Sequence, residues 1–286
     1  MIQRAFHWLE KHRMLNLVMV IAYALFLLFA HDAFVNLSVG VMNNLSLPVF
    51  QKVVAVVVVL FALALVSIGW FVLRRGSVDK RTALYFAASL LLLVAHFFVL
   101  TEMNVEFIHA LMYGGLAVLL FPLIGRLGGA IVFCLPVMLV DEWCQHVILF
   151  PHYTNFFEFN DIVLNLVGAG LFVSMLRLLG MRSQRTFSPV YKRSEVWLLI
   201  SGALVIVGTL AACIIVPYSE DACPTTWFVL NKLPEMSEFW YVHPVIGSTF
   251  HILKPMEGIA LMFLLCVAYL GMDRFKIEAT NCTCAD

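Results

Sequence analysis

Three apolar stretches between Val105 and Gly180 carry ionisable and amide side chains at helical spacing. The first holds Glu106, His109 and Tyr113, separated by three and then four residues. In the second, Asp141 and Glu142 are followed by Gln145 and His146; the third runs Asp161, Asn165, Gly168, Phe172. Residues three or four apart share one helical face, so each set forms a polar stripe. Carboxyl and imidazole groups together can move protons, which suits general acid–base catalysis. Glu142 and His109 are the candidate acid–base groups, with Asp161 as their partner. Glu106, Tyr113, Asp141, Gln145 and Asn165 are candidates for holding a substrate. His109, Glu142 and Asp161 also form a His-plus-carboxylate set compatible with zinc or manganese. A divalent cation is therefore the one cofactor these residues suggest; no nucleophile motif, phosphate-binding glycine loop or cofactor box is evident.

Each residue also has a plainer reading. A protonated Glu142 could bond Gln145 or Asn165 and simply hold helices together. Asp161 at a helix start is explained by capping and the macrodipole. Gly168 and Gly170 fit close helix approach, Tyr113 fits a core residue, and the lone His96 reads as structural. Lys254 and Glu257, one turn apart, read as a pair at a helix entrance. What weighs against accident is cost. A charge at a bilayer centre costs at least about 2.5–3.5 kcal/mol, and such groups are functional by default.

The elements that must position these groups are membrane spans. The 286 residues are 62% hydrophobic and 13% charged, which excludes an ordinary soluble domain. Apolar segments at 15–34, 53–73, 82–100, 105–124, 128–149, 159–179, 195–217 and 255–272 predict an all-α polytopic bundle of about eight transmembrane helices. The Val53–Val59 run has strand propensity, yet in a bilayer only a helix satisfies its own backbone. The first segment is too long for a signal-peptide core and reads as a retained span. The bundle divides into three N-terminal spans (1–104), a polar-site core (105–180) and two C-terminal spans (181–286) with a long loop at 218–254. Seven scattered cysteines, including Cys282 and Cys284 in the tail, show no disulfide or zinc framework.

Lys and Arg set the expected orientation. With both termini cytoplasmic, all eighteen except Lys52, Lys232 and Lys254 fall inside, as the positive-inside rule requires. Acidic residues such as Glu102, Glu158, Glu220, Asp221, Glu235 and Glu238 fall outside. The outer face is then formally negative and suited to cationic or metal partners. Net charge is zero, so nothing points to nucleic acid. In this frame Glu106 and His109 open a descending helix, Glu142 and Gln145 end an ascending one, and Asp161 opens the next. All lie at similar depth in the outer leaflet, where a lipid headgroup sits. The loop at 218–254, with Trp227, Trp240 and Tyr241, is expected at the headgroup level, covering the site.

The central stretch resembles the VanZ-like family of membrane proteins. The resemblance is carried by Glu106, His109 and Tyr113; by Asp141, Glu142 and Gln145; and by Asp161, Asn165 and Gly168. It covers about a quarter of the chain. One position departs: where the family commonly has Arg, six residues before the third-helix Asp, this chain has Asn155. The resemblance implies a multi-pass protein of the bacterial cytoplasmic membrane and cell envelope, and its namesake is linked to resistance to the glycopeptide teicoplanin. It implies no reaction. The expected function is an enzyme acting at the outer leaflet on a membrane lipid or lipid-linked envelope precursor, by hydrolysis or group transfer. The alternatives are a proton- or cation-coupled transporter or flippase, and a non-catalytic envelope-binding protein.

Overall fold

The computed structural model describes residues 2–74, 80–151, 154–181, 190–235, 238–243 and 247–274. Cys282 and Cys284, and the basic residues Arg75, Arg182, Arg185 and Lys276 that the expected orientation counts as cytoplasmic, lie outside them.

Among the described residues nine α-helices follow in order: α1 (Ile2–Lys11), α2 (Arg13–Leu45), α3 (Leu47–Arg74), α4 (Lys80–Val99), α5 (Ile108–Ile124), α6 (Leu127–Cys144), α7 (Phe159–Leu178), α8 (Ser194–Ala211) and α9 (Pro255–Leu270). Seven helical segments are long and apolar enough to cross a membrane. The pair α1–α2, bent by 103°, supplies an eighth candidate. The protein is thus an all-α polytopic membrane bundle. Boundaries moved most at the N-terminus, where the expected span 15–34 is the middle of the longer α2. The Val53–Val59 run is helical, within α3.

Helix α7 is the axis of the bundle, buried along nearly its whole length among α4, α5, α6 and α9. Small residues set these distances. A Cβ on Gly168 would collide with the Ala110 backbone of α5, and one on Gly170 with the Tyr269 ring of α9. Both glycines therefore serve close helix approach. In contrast α3 and α8 are largely exposed along their apolar lengths, as lipid-facing helices are.

One end of the bundle is roofed. After α8 come β1 (Ile215–Tyr218) and β2 (Phe228–Asn231), paired in parallel, then β3 (Tyr241–Val242) and β4 (Thr249–Phe250), paired antiparallel. The roof is stitched to the helices by backbone bonds from Phe157 N–H to Leu230 O, Lys232 N–H to Asn155 O, and His251 N–H to Val99 O. Inside it, the buried Asn160 amide donates to Leu100 O and His251 O and accepts from Leu253 N–H. A segment that looks like an irregular loop thereby satisfies its backbone in place.

Candidate functional site

The three polar stripes converge beneath this roof. His109 on α5, Glu142 on α6 and Asp161 on α7 are all buried, and their ligand-type atoms lie within 4.8 Å of one another. His109 Nδ1 stands 3.7 Å from Asp161 Oδ2. The Gln145 amide donates to Glu142 Oε1 at 3.4 Å, one of the two partners the plain reading of Glu142 offered. The other, Asn165, does not take that role: both atoms of its fully buried amide lack a hydrogen-bond partner among the described residues. One turn into the bundle, the Tyr113 hydroxyl donates to Asp141 Oδ2 at 2.9 Å.

Asp161 stands in the first turn of α7, where its charge suits the helix dipole, but the N-cap is Glu158 and makes no side-chain cap bond, so capping does not account for Asp161. Glu106 does act as a cap. It lies in a short 3-10 turn, Asn104–Phe107, where its carboxylate accepts from Glu102 N–H and Met103 N–H. Its carboxyl group still faces the same space as Asp161.

That space is a chamber of about 170 Å³ walled by Glu102, Glu106, Gln145, Thr154, Glu158, Asn160 and Asp161, with Phe250 of the roof over it. A cavity of about 150 Å³ admits a benzene-sized molecule, so this one has room for a small polar group and not for a whole lipid. Among the described residues four carboxyl groups face it and no Lys or Arg lines it. Burial pushes the Glu158 carboxyl well above its ordinary range, and the nearby Asp161 and Glu102 add to the shift. Glu102 is also pushed up by burial; the His243 imidazole, 3.2 Å away, opposes this, while Asp161 reinforces it.

The last turn of α6 opens into a π-turn, Gln145–Leu149. Such turns insert an extra residue per turn and recur at functional sites. Gln145 stays with Glu142, but His146 leaves the stripe. Its ring nitrogens lie 3.1 Å from Phe156 O and 3.2 Å from Val229 O, tying α6 to the roof. His146 is therefore structural here. Lys254 and Glu257 do not pair through their side chains: Lys254 Nζ meets Glu235 at 2.9 Å, and Glu257 accepts from Lys254 N–H and faces His251.

Two residues gain weight from the structure. Lys232, counted above only for topology, donates from Nζ to Pro151 O at 2.7 Å and Thr154 O at 2.9 Å, beside the chamber wall. Its neighbour Asn155, at the position where an Arg was expected from the resemblance, is exposed and offers its carbonyl to Lys232 N–H. His96 of α4 is buried, and neither ring nitrogen has a hydrogen-bond partner among the described residues. A single apolar-flanked histidine carries no periodic signal that could have distinguished it.

No family model matches this chain, and no curated protein or solved structure is similar to it.

Proposed function

We propose that this chain is a VanZ-like integral membrane enzyme of a bacterial cell envelope. It would act at the outer leaflet on a membrane lipid or lipid-linked precursor, by hydrolysis or group transfer. The observation that carries this reading is the convergence of His109, Glu142 and Asp161, from three helices, beside a roofed chamber with room for a small polar group. The sorting of Lys and Arg supports cytoplasmic termini and an outward-facing roof. Exposed aromatics on that roof, Trp227 and Trp240 among them, suit the headgroup layer.

In this reading the headgroup enters the chamber while acyl chains stay in the bilayer. Glu142 or His109 takes a proton from the attacking water or hydroxyl, and Asp161 orients His109. The same proton is returned to the departing oxygen. Gln145 fixes Glu142, and Asn165 is the uncommitted amide available to substrate or an ordered water. Tyr113 and Asp141, bonded to one another, support the site from below. Below Tyr113 the same three helices bury Leu116, Leu120, Phe121, Ile131, Leu135, Ala169 and Val173. This apolar plug favours an enzyme over a transporter, which needs a polar path through the bundle.

The test compares cells carrying the wild type, Glu142→Gln or no copy, at matched membrane levels. Lipids and cell-wall fragments are profiled by mass spectrometry. A product confined to the wild type is expected and would identify the substrate class; identical profiles overturn the enzyme reading.

A further inference from the structure

The structure assigns a binding site for one divalent transition-metal ion, zinc or manganese, to His109, Glu142 and Asp161. Ligands 2.0–2.2 Å from a tetrahedral zinc sit roughly 3.3–3.6 Å apart. His109 Nδ1 and Asp161 Oδ2, at 3.7 Å, already stand near that separation. The whole set lies within 4.8 Å, so closure onto an ion needs side-chain rotation and no helix movement.

Charge argues in the same direction. Two buried carboxylates balance a dication, and a neutral imidazole completes the set without adding charge. Among the described residues no Lys or Arg pairs with Glu142. The surroundings match what metal sites use to hold their ligands. Gln145 bonds the carboxylate of Glu142, as an outer-shell partner orients a ligand. A second, independent observation points to a missing guest: the fully buried Asn165 amide, one turn along α7 from Asp161 on the same face, has no partner among the described residues. A metal-bound water is a partner of the chemistry it lacks. Three protein ligands leave a coordination position open, which is the pattern of catalytic and not structural zinc. Among the described residues no Lys or Arg lines the adjoining chamber to repel an incoming cation.

Metal occupancy and lipid chemistry are separate claims. Should both hold, the ion would supply an activated water or polarise a phosphoryl or acyl oxygen.

The full-length chain, purified in detergent through a tag without histidine, is stripped with chelator. It is reloaded with zinc alone or manganese alone, and bound metal is counted by plasma mass spectrometry after desalting. About one ion per chain is expected for the wild type and for Glu158→Gln. Less than a tenth of that is expected for His109→Ala or Asp161→Asn, and Gln145→Ala should weaken binding roughly 10-fold or more. If a ligand variant fails to fold, the wild type still decides the matter. X-ray absorption of the zinc-loaded protein must show nitrogen and oxygen ligands near 2.0–2.2 Å and no sulfur. Absence of stoichiometric loading by either ion, or loading untouched in all ligand variants, overturns the site. Loading with unchanged lipid profiles keeps the metal site and removes only the enzyme reading.

Discussion

The Tyr113 hydroxyl reaches from α5 to α6 to donate to Asp141 Oδ2 at 2.9 Å, with both side chains fully buried. The pair forms the floor of the polar site and cross-links two of the helices that build it. Tyr113→Phe leaves the carboxyl in place but removes its donor. It is expected to cost about 1–3 kcal/mol, the penalty for a buried group left short of a partner. Thermal unfolding in detergent reads this loss. Adding Asp141→Asn to Tyr113→Phe should cost less than the two single losses summed, because the pair acts as a unit. Strict additivity would mean that the bond contributes nothing.

Gly168 sits where α7 crosses α5, with the Ala110 backbone in the space a Cβ would occupy. Backbone cannot rotate away as a flexible side chain can. Gly168→Ala should therefore destabilise by about 1–3 kcal/mol, the usual cost of overpacking. It should also spread His109 from Asp161, so metal loading should fall along with the melting temperature. Gly202 of α8 has nothing within reach of an added Cβ. Gly202→Ala should leave metal loading at the wild-type level and should not lower the melting temperature, since alanine is the better helix former, which separates a local collision from a general intolerance of alanine.

Glu158 makes stability depend on pH. Its carboxyl is pushed well above the ordinary 4.5 by burial, then by Asp161 and Glu102. Below about pH 4 the group is protonated in folded and unfolded chains alike. As pH rises through 4.5 the unfolded chain ionises first, the folded chain holds more protons, and stability falls with rising pH. The decline stops once the folded group also ionises. Melting temperature scanned upward from pH 4.5 should drop less steeply in Glu158→Gln than in the wild type. Parallel slopes would assign the pH dependence elsewhere.

The helices were legible because a bilayer leaves the backbone few choices; length and apolarity nearly suffice. The stripe on α7 was legible for a second reason. Asp161 and Asn165 sit in a helix whose every face is buried, so only function or bonding could retain them. Glu106 opens the span Asn104–Ile124 as its position suggests, though in a 3-10 turn that residue types alone do not announce. His146 was harder. One extra residue in a π-turn rotates it off the stripe, and nothing in the residue types announces that turn. The roof was least legible: its strands are two to four residues long, and its ties to the rest of the bundle, such as Leu230 to Phe157 and His251 to Val99, join residues far apart in the chain. His96 falls in the same class, because its significance lies only in what does not surround it.

Those distant partners also fix an order of events. Asn160 cannot make its three bonds until His251 and Leu253 exist, so the chamber has no ceiling while the chain is still being synthesised. Some 90 residues separate Asp161 from Leu253, a wait of roughly 5–18 s at the usual pace of translation. Until that interval ends, Asp161 of α7 lacks the cover that the roof later supplies. The nascent protein therefore passes through a stage in which its most polar face is open to whatever stands beside it, and the roof is what ends that stage.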